Sequence, residues 1–200
     1  MIGFTFSMAL NRYDTRRSAV VDEANAIGTT DLRARMLPEP HASEVRKLLR
    51  DYVDIRIELS GARRNPTSWE EARQHSNAIQ ADLWQNAVTV STADLRSTPA
   101  GLFVRSLNDM IDRQEKRLAA VRAHVPPAVF VLLYAIAAVA IGLGSYVGGS
   151  RGQGGRIPMA IMGLLFAVVI GMTNDLDRSL GGFITVDQEA MYNLKESMNQ

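Results

Sequence analysis

The sequence predicts an all-α protein: a cytoplasmic bundle of about four helices, a two-helix transmembrane hairpin, and a short C-terminal helix. Two observations carry this. Residues 128–149 and 157–174 are runs without a charged side chain, joined by the hydrophilic, glycine-rich SRGQGGR. Upstream, apolar residues recur at helical spacing in four stretches separated by proline or glycine. The division expected is an apolar start at 1–11, a helical domain at 12–125, the hairpin at 126–174, and a juxtamembrane turn with a helix at 175–200.

The first residues, MIGFTFSMAL, are apolar but too few to cross a bilayer. They read as an interfacial anchor or the end of a membrane helix, with Asn11 and Arg12 at the boundary. Residues 12–36 form the first helix, with Val20, Ala24, Ile27, Leu32 and Met36 near one face. Pro38 and Pro40 stop it. The second helix, 42–60, carries Val45, Leu48, Leu49, Tyr52, Ile55 and Leu59 as its stripe and ends at Gly61. A loop at Arg63–Arg64–Asn65–Pro66 follows. Thr67 and Glu70 have the spacing of a capping box and open the third helix. Its apolar side is Ala72, His75, Ile79, Leu83 and either Ala87 or Val88, and the β-branched Val88–Thr92 is expected to fray. Thr98 caps the fourth helix with Pro99 in its first turn. Leu102, Phe103, Leu107, Met110, Ile111 and Leu118 line it, and Asp109/Arg113 and Asp112/Lys116 are i, i+4 pairs outside. Pro126–Pro127 breaks the chain before the first span.

Crossing about 30 Å of hydrocarbon takes roughly 20 apolar residues at about 1.5 Å each. The span from Ala128 to Gly148 meets this, and that from Ile157 to Thr173 falls at the short end of the range. Gly142, Gly144, Gly148, Gly163 and Gly171 permit close helix approach. A buried hairpin in a soluble protein is the competing reading, but 200 residues offer little chain to wrap two such helices. Arg113, Lys116, Arg117 and Arg122 precede the first span and Arg178 follows the second, against Arg151 and Arg156 in the link. That bias places the N-terminal domain and the C-terminus in the cytoplasm. Asp187 is expected to cap a last helix bearing Met191, Leu194 and Met198.

Composition excludes several functions. The net charge of +1 gives no polybasic footprint, so no nucleic-acid partner is expected. Absence of cysteine removes disulfides, thiol catalysis and thiolate metal sites. His41, His75 and His124 lie on different elements without metal-ligand spacing. The glycine-rich link lacks the Gly-Lys-Ser/Thr ending of a phosphate loop, and no nucleophile elbow occurs. The expectation is a non-enzymatic protein without a cofactor.

Two constellations stand out. Asp175 and Asp177, beside Asn174 and Arg178, offer oxygen ligands for calcium or magnesium, though without the later glutamate of an EF-hand loop. The alternative is a juxtamembrane turn in which a carboxylate pairs with an arginine of the bundle. Glu23, Asn25 and Arg33, with Arg178, form a candidate polar network, either hydrogen-bonded within a core or lining an ion path.

GFTFSMALNRYDTRR, VVDEANAIGTTDLRARMLPEP, VRKLLRDYVDIRI, the hairpin and DLDRSLGGFITV together resemble the bestrophin-like domain family, bacterial membrane proteins of unknown function. The likeness covers nearly the whole chain. Members usually carry apolar sequence ahead of the GFTFS segment, whereas the sequence here begins at that point, which suggests a fragment, a late start codon or a true shortened form, with the start a possible remnant of a membrane helix. The resemblance implies a bacterial inner membrane and, through the family name, a distant similarity to anion channels. The expected function is a self-associating, channel-like assembly with the lipid bilayer and further copies of itself as partners. Two spans cannot enclose a pore, so several copies are required, and spans without Asp, Glu, Lys, Arg or His argue against a charged relay within them. The alternative is a membrane-tethered regulatory or interaction module.

Overall fold

A computed structural model describes residues 2–61, 66–149, 156–178 and 182–200. The expected loop at 63–65, most of the glycine-rich link and Ser179–Leu180–Gly181 lie outside the described residues. Among the described residues the secondary structure is all helical: α1 Ile2–Ala34, α2 His41–Gly61, α3 Pro66–Ala93, α4 Thr98–Arg122, α5 Pro127–Gly149, α6 Arg156–Asp177 and α7 Glu189–Met198. Two compact units divide them, one of residues 1–15 and 122–185, the other of 16–121 and 186–200. Residues 175–185 thus group with the hairpin, and α7 groups with the bundle.

In the bundle, helical periodicity decides what is buried. α1 turns Val20, Glu23, Ala24, Ile27, Thr30, Asp31 and Ala34 inward. The expectation that Leu32 and Met36 share this face is corrected: they are 62% and 47% exposed. Each residue advances about 100° around a helix, so the stripe through Val20 and Ile27 reaches Asp31 and Ala34 instead. The helix also begins ten residues earlier than the expected start at residue 12, since no breaker separates MIGFTFSMAL from Asn11 and Arg12.

α2 buries Val45, Leu49, Tyr52, Ile55 and Leu59 as its spacing predicts. In α3, Ala72, Ile79, Leu83 and Ala87 are buried, but His75 is exposed and Ser76 takes the inward place; Val88 also faces out. Val88–Thr92 does not fray. The Thr89 and Thr92 hydroxyls donate to the Gln85 and Val88 carbonyls at 2.9 Å, holding onto the preceding turn. Glu70 also accepts from Arg73 Nε and Nη2 at 3.0 and 2.7 Å.

Ser97, not Thr98, caps α4: its hydroxyl accepts the Ala100 amide at 3.3 Å. Phe103, Leu107 and Met110 are buried, whereas Leu102 is partly exposed. The chain leaves the helix at Arg122 and re-enters one at Pro127, as the double proline predicts. Gln188 occupies the cap position of α7, and Asp187, one residue earlier, accepts the Glu189 amide at 3.0 Å. Met191 and Met198 enter the same core as Tyr52, Phe103 and Leu83, and Lys195 Nζ meets Asp54 Oδ1 of α2 at 2.8 Å.

In the other unit α5 and α6 pack through Leu133, Ala137, Ile170 and the partly buried Phe166. Close approach is real at Gly144, where a Cβ would stand 2.6 Å from the Met159 thioether; around Gly142 and Gly171 the space is open. Both helices are long and apolar enough to cross a membrane, and only 11% of each apolar window is buried.

Candidate functional site

Three helices bring one charged residue each into the centre of the bundle. Glu23 of α1 is fully buried, and Arg56 of α2 and Arg117 of α4 are 3% exposed. Each continues an apolar stripe: Val20–Glu23–Ile27, Leu49–Tyr52–Arg56–Leu59, and Phe103–Leu107–Met110–Gln114–Arg117. Position three or four beyond a buried neighbour leaves these side chains nowhere to go but inward.

The carboxylate is clamped from two sides. Arg117 Nη1 donates to Glu23 Oε2 at 2.6 Å. Arg56 Nη2 donates to the same oxygen at 3.2 Å. Arg56 Nε lies 2.7 Å from Oε1 but off the N–H direction, so it is an ionic contact without a hydrogen bond. The Tyr52 hydroxyl stands 3.3 Å from Glu23 Oε1 and 2.9 Å from Gln114 Oε1; with one proton it donates to one of them at a time. Gln80 of α3 reaches both Tyr52 and Gln114. Arg117 Nη2 extends the network to Gln188 Oε1 at 2.8 Å, which ties the segment before α7 to α4.

Burial alone would raise the Glu23 carboxyl, but the Arg56 and Arg117 guanidiniums outweigh it and hold the group below its ordinary value of 4.5. Burial, then the Glu23 charge, push the Tyr52 hydroxyl up, so it stays protonated. Burial acts against Arg56 too, and Glu23 more than offsets it. Arg117 is the less favoured cation: burial and the neighbouring Arg56 outweigh the help from Glu23, and its pKa is lowered. Chemically the cluster is an internal ion triad, with its charges unable to exchange protons near neutral pH.

Of the four residues expected to form a polar network, Glu23 alone belongs to this cluster. Asn25 is exposed on the opposite side of α1. Arg33 Nη1 donates to the Leu102 carbonyl at 3.1 Å, joining α1 to α4 elsewhere. Arg178 is exposed in the other unit, its amide donating to the Asn174 carbonyl. Arg56, Gln114 and Arg117 escape a reading that assigns arginine and glutamine to the wet side. Their signal is the register itself: each falls where the next apolar residue of its stripe is due.

Asp175 and Asp177 are each engaged with backbone. Asp175 Oδ1 and Oδ2 accept the Phe183 and Ile184 amides, both at 2.9 Å. A Cβ on Gly182 would come within 2.6 Å of Asp175 Oδ1, so this tight turn requires a glycine there. Asp177 Oδ1 accepts the Val125 amide at 2.8 Å, and its carbonyl lies 3.2 Å from His124 Nδ1. Among the described residues no group of three or more His, Asp or Glu converges as a metal site would require.

The family model described as Bestrophin-like domain matches residues 1–191, and the chain belongs to that family. No curated protein and no solved structure matches it.

Proposed function

We propose that this member of the bestrophin-like domain family is an integral membrane protein that assembles from several copies into a channel-like, ion-conducting complex. The helical bundle and the C-terminus lie in the cytoplasm. The carrying observation is the outward face of α5 and α6. Val131, Val139, Leu143, Leu164 and Leu165 are each at least 60% exposed, an apolar area that water would not tolerate and lipid would. Arg113, Lys116, Arg117 and Arg122 before α5 support the orientation. Tyr134 and Ser145 are also exposed. They lie three turns apart on nearly the same side of α5, where a second copy would make them face a shared path.

A second reading, a tethered interaction module, is favoured by one observation: residues 128–149 and 157–174 hold no Asp, Glu, Lys, Arg or His. Reconstitution separates the two. The protein purified in detergent is sized for oligomeric state, then placed in liposomes for flux measurements. A multimer that carries ions supports conduction. A monomer, or a multimer with no flux for any small ion, leaves the anchor reading standing.

A further inference from the structure

The ion triad is not balanced. Two guanidiniums, each no more than 4% exposed at the side chain, face a single carboxylate. Buried charge is tolerated when it is paired, and here one positive charge is left over. Among the described residues no second carboxylate lies within ion-pair distance of either guanidinium. Tyr52 is held in its neutral form, and arginine does not give up its proton. Glu115 acts on both Arg56 and Arg73, but from an exposed position where water screens its charge. Arg73 and Glu70, at the edge, already neutralise each other.

Against this excess lies a cavity of about 30 Å³, walled by Arg56, Arg117, Arg73, Trp69 and Leu59. One water needs roughly 10–15 Å³ measured the same way, so there is room for a guest of one or two heavy atoms. We infer that this cavity holds a small monovalent inorganic anion, of the size of chloride, as the counter-ion of the Arg56–Glu23–Arg117 triad. The anion would belong to the fold of the bundle, with Arg73 at the outer wall. It is a resident ion and needs no transport activity, so it stands or falls apart from the conduction reading.

The test uses the full chain in detergent, with no membrane potential. Melting temperature is followed as sodium chloride replaces sodium gluconate at constant ionic strength, and crystals grown in sodium bromide are searched for anomalous scattering. The expected result is a saturable rise in melting temperature with chloride and a bromide peak beside Arg56 and Arg117. Arg73→Gln is made together with Glu70→Gln, so that no bare carboxylate is left at the rim and the triad stays in place; the protein should fold and the half-saturating chloride concentration should rise about tenfold. Equal melting in both salts overturns the inference, whether or not a bromide peak appears, since a peak alone is an adventitious ion. A salt effect without a peak, or one untouched by the double substitution, overturns it as well.

Discussion

Glu23 is the residue on which the bundle's polar interior turns. Glu23→Gln would leave Arg56 and Arg117 buried without a carboxylate, and losing one partner of such a pair costs about 3–5 kcal/mol. The expected outcome is a large fall in the denaturation midpoint, measured by urea titration. Acid should act in the same direction. The folded pKa of Glu23 lies below its unfolded value near 4.5. Its stabilisation is therefore fully present above that unfolded value and is lost as pH falls through the lower folded one. In Glu23→Gln that part of the acid sensitivity should be missing from melting curves recorded down the same pH range. The sequence marks Glu23 as a polar residue in mid-helix but not its partners. Arg56 and Arg117 have the composition of surface residues and the position of core residues, and only three-dimensional packing decides between the two.

At the scale of elements, the helices were legible because their stripes and breakers agree. Val45 to Leu59 repeats at helical spacing, and Pro126–Pro127 interrupts where the chain does leave helix. Less legible were the ends. Ser97 and Thr98 are adjacent, both suited to capping, and only backbone geometry chooses Ser97. Ser97→Ala should cost about 1 kcal/mol and Thr98→Ala much less, a contrast that chemical denaturation of the two variants would resolve. The seam of α5 and α6 is sharper than composition suggested. Of the glycines expected to admit a neighbour, Gly144 sits against the Met159 thioether. Gly144→Ala is accommodated by rotation of that flexible end. Gly144→Leu overpacks the seam at a cost of about 1–3 kcal/mol, and Met159→Ala in the same chain should restore much of the loss. Thermal melting of the single and double variants in detergent measures this coupling.

For the whole molecule, the all-α class and the two apolar helices follow from the uncharged runs, which no tertiary detail can disguise. The unit boundaries do not. Residues 16–121 join 186–200, and 122–185 join the first fifteen, because α7 contributes Met191 and Met198 to a core whose other members precede the hairpin. Sequence order says nothing of that return. Truncation after residue 185 should therefore destabilise the bundle although it removes a short terminal helix. Limited proteolysis would report it as faster cleavage within α2 and α4. Membrane insertion is checked separately. The protein should stay with the bilayer in alkaline carbonate, and replacing Ala137 and Leu133, the buried contacts of α5 with α6, by arginine should release it to the soluble or aggregated fraction.

The Asp175 carboxylate, finally, leaves a signature in solvent exchange. Phe183 is entirely exposed and lies outside any helix, so its amide should trade its proton with water within moments. Yet that amide and the next are held by the two oxygens of one carboxylate. In deuterated buffer, Phe183 and Ile184 should appear as a pair of slow amides in a fast-exchanging stretch, and Asp175→Ala should erase both at once.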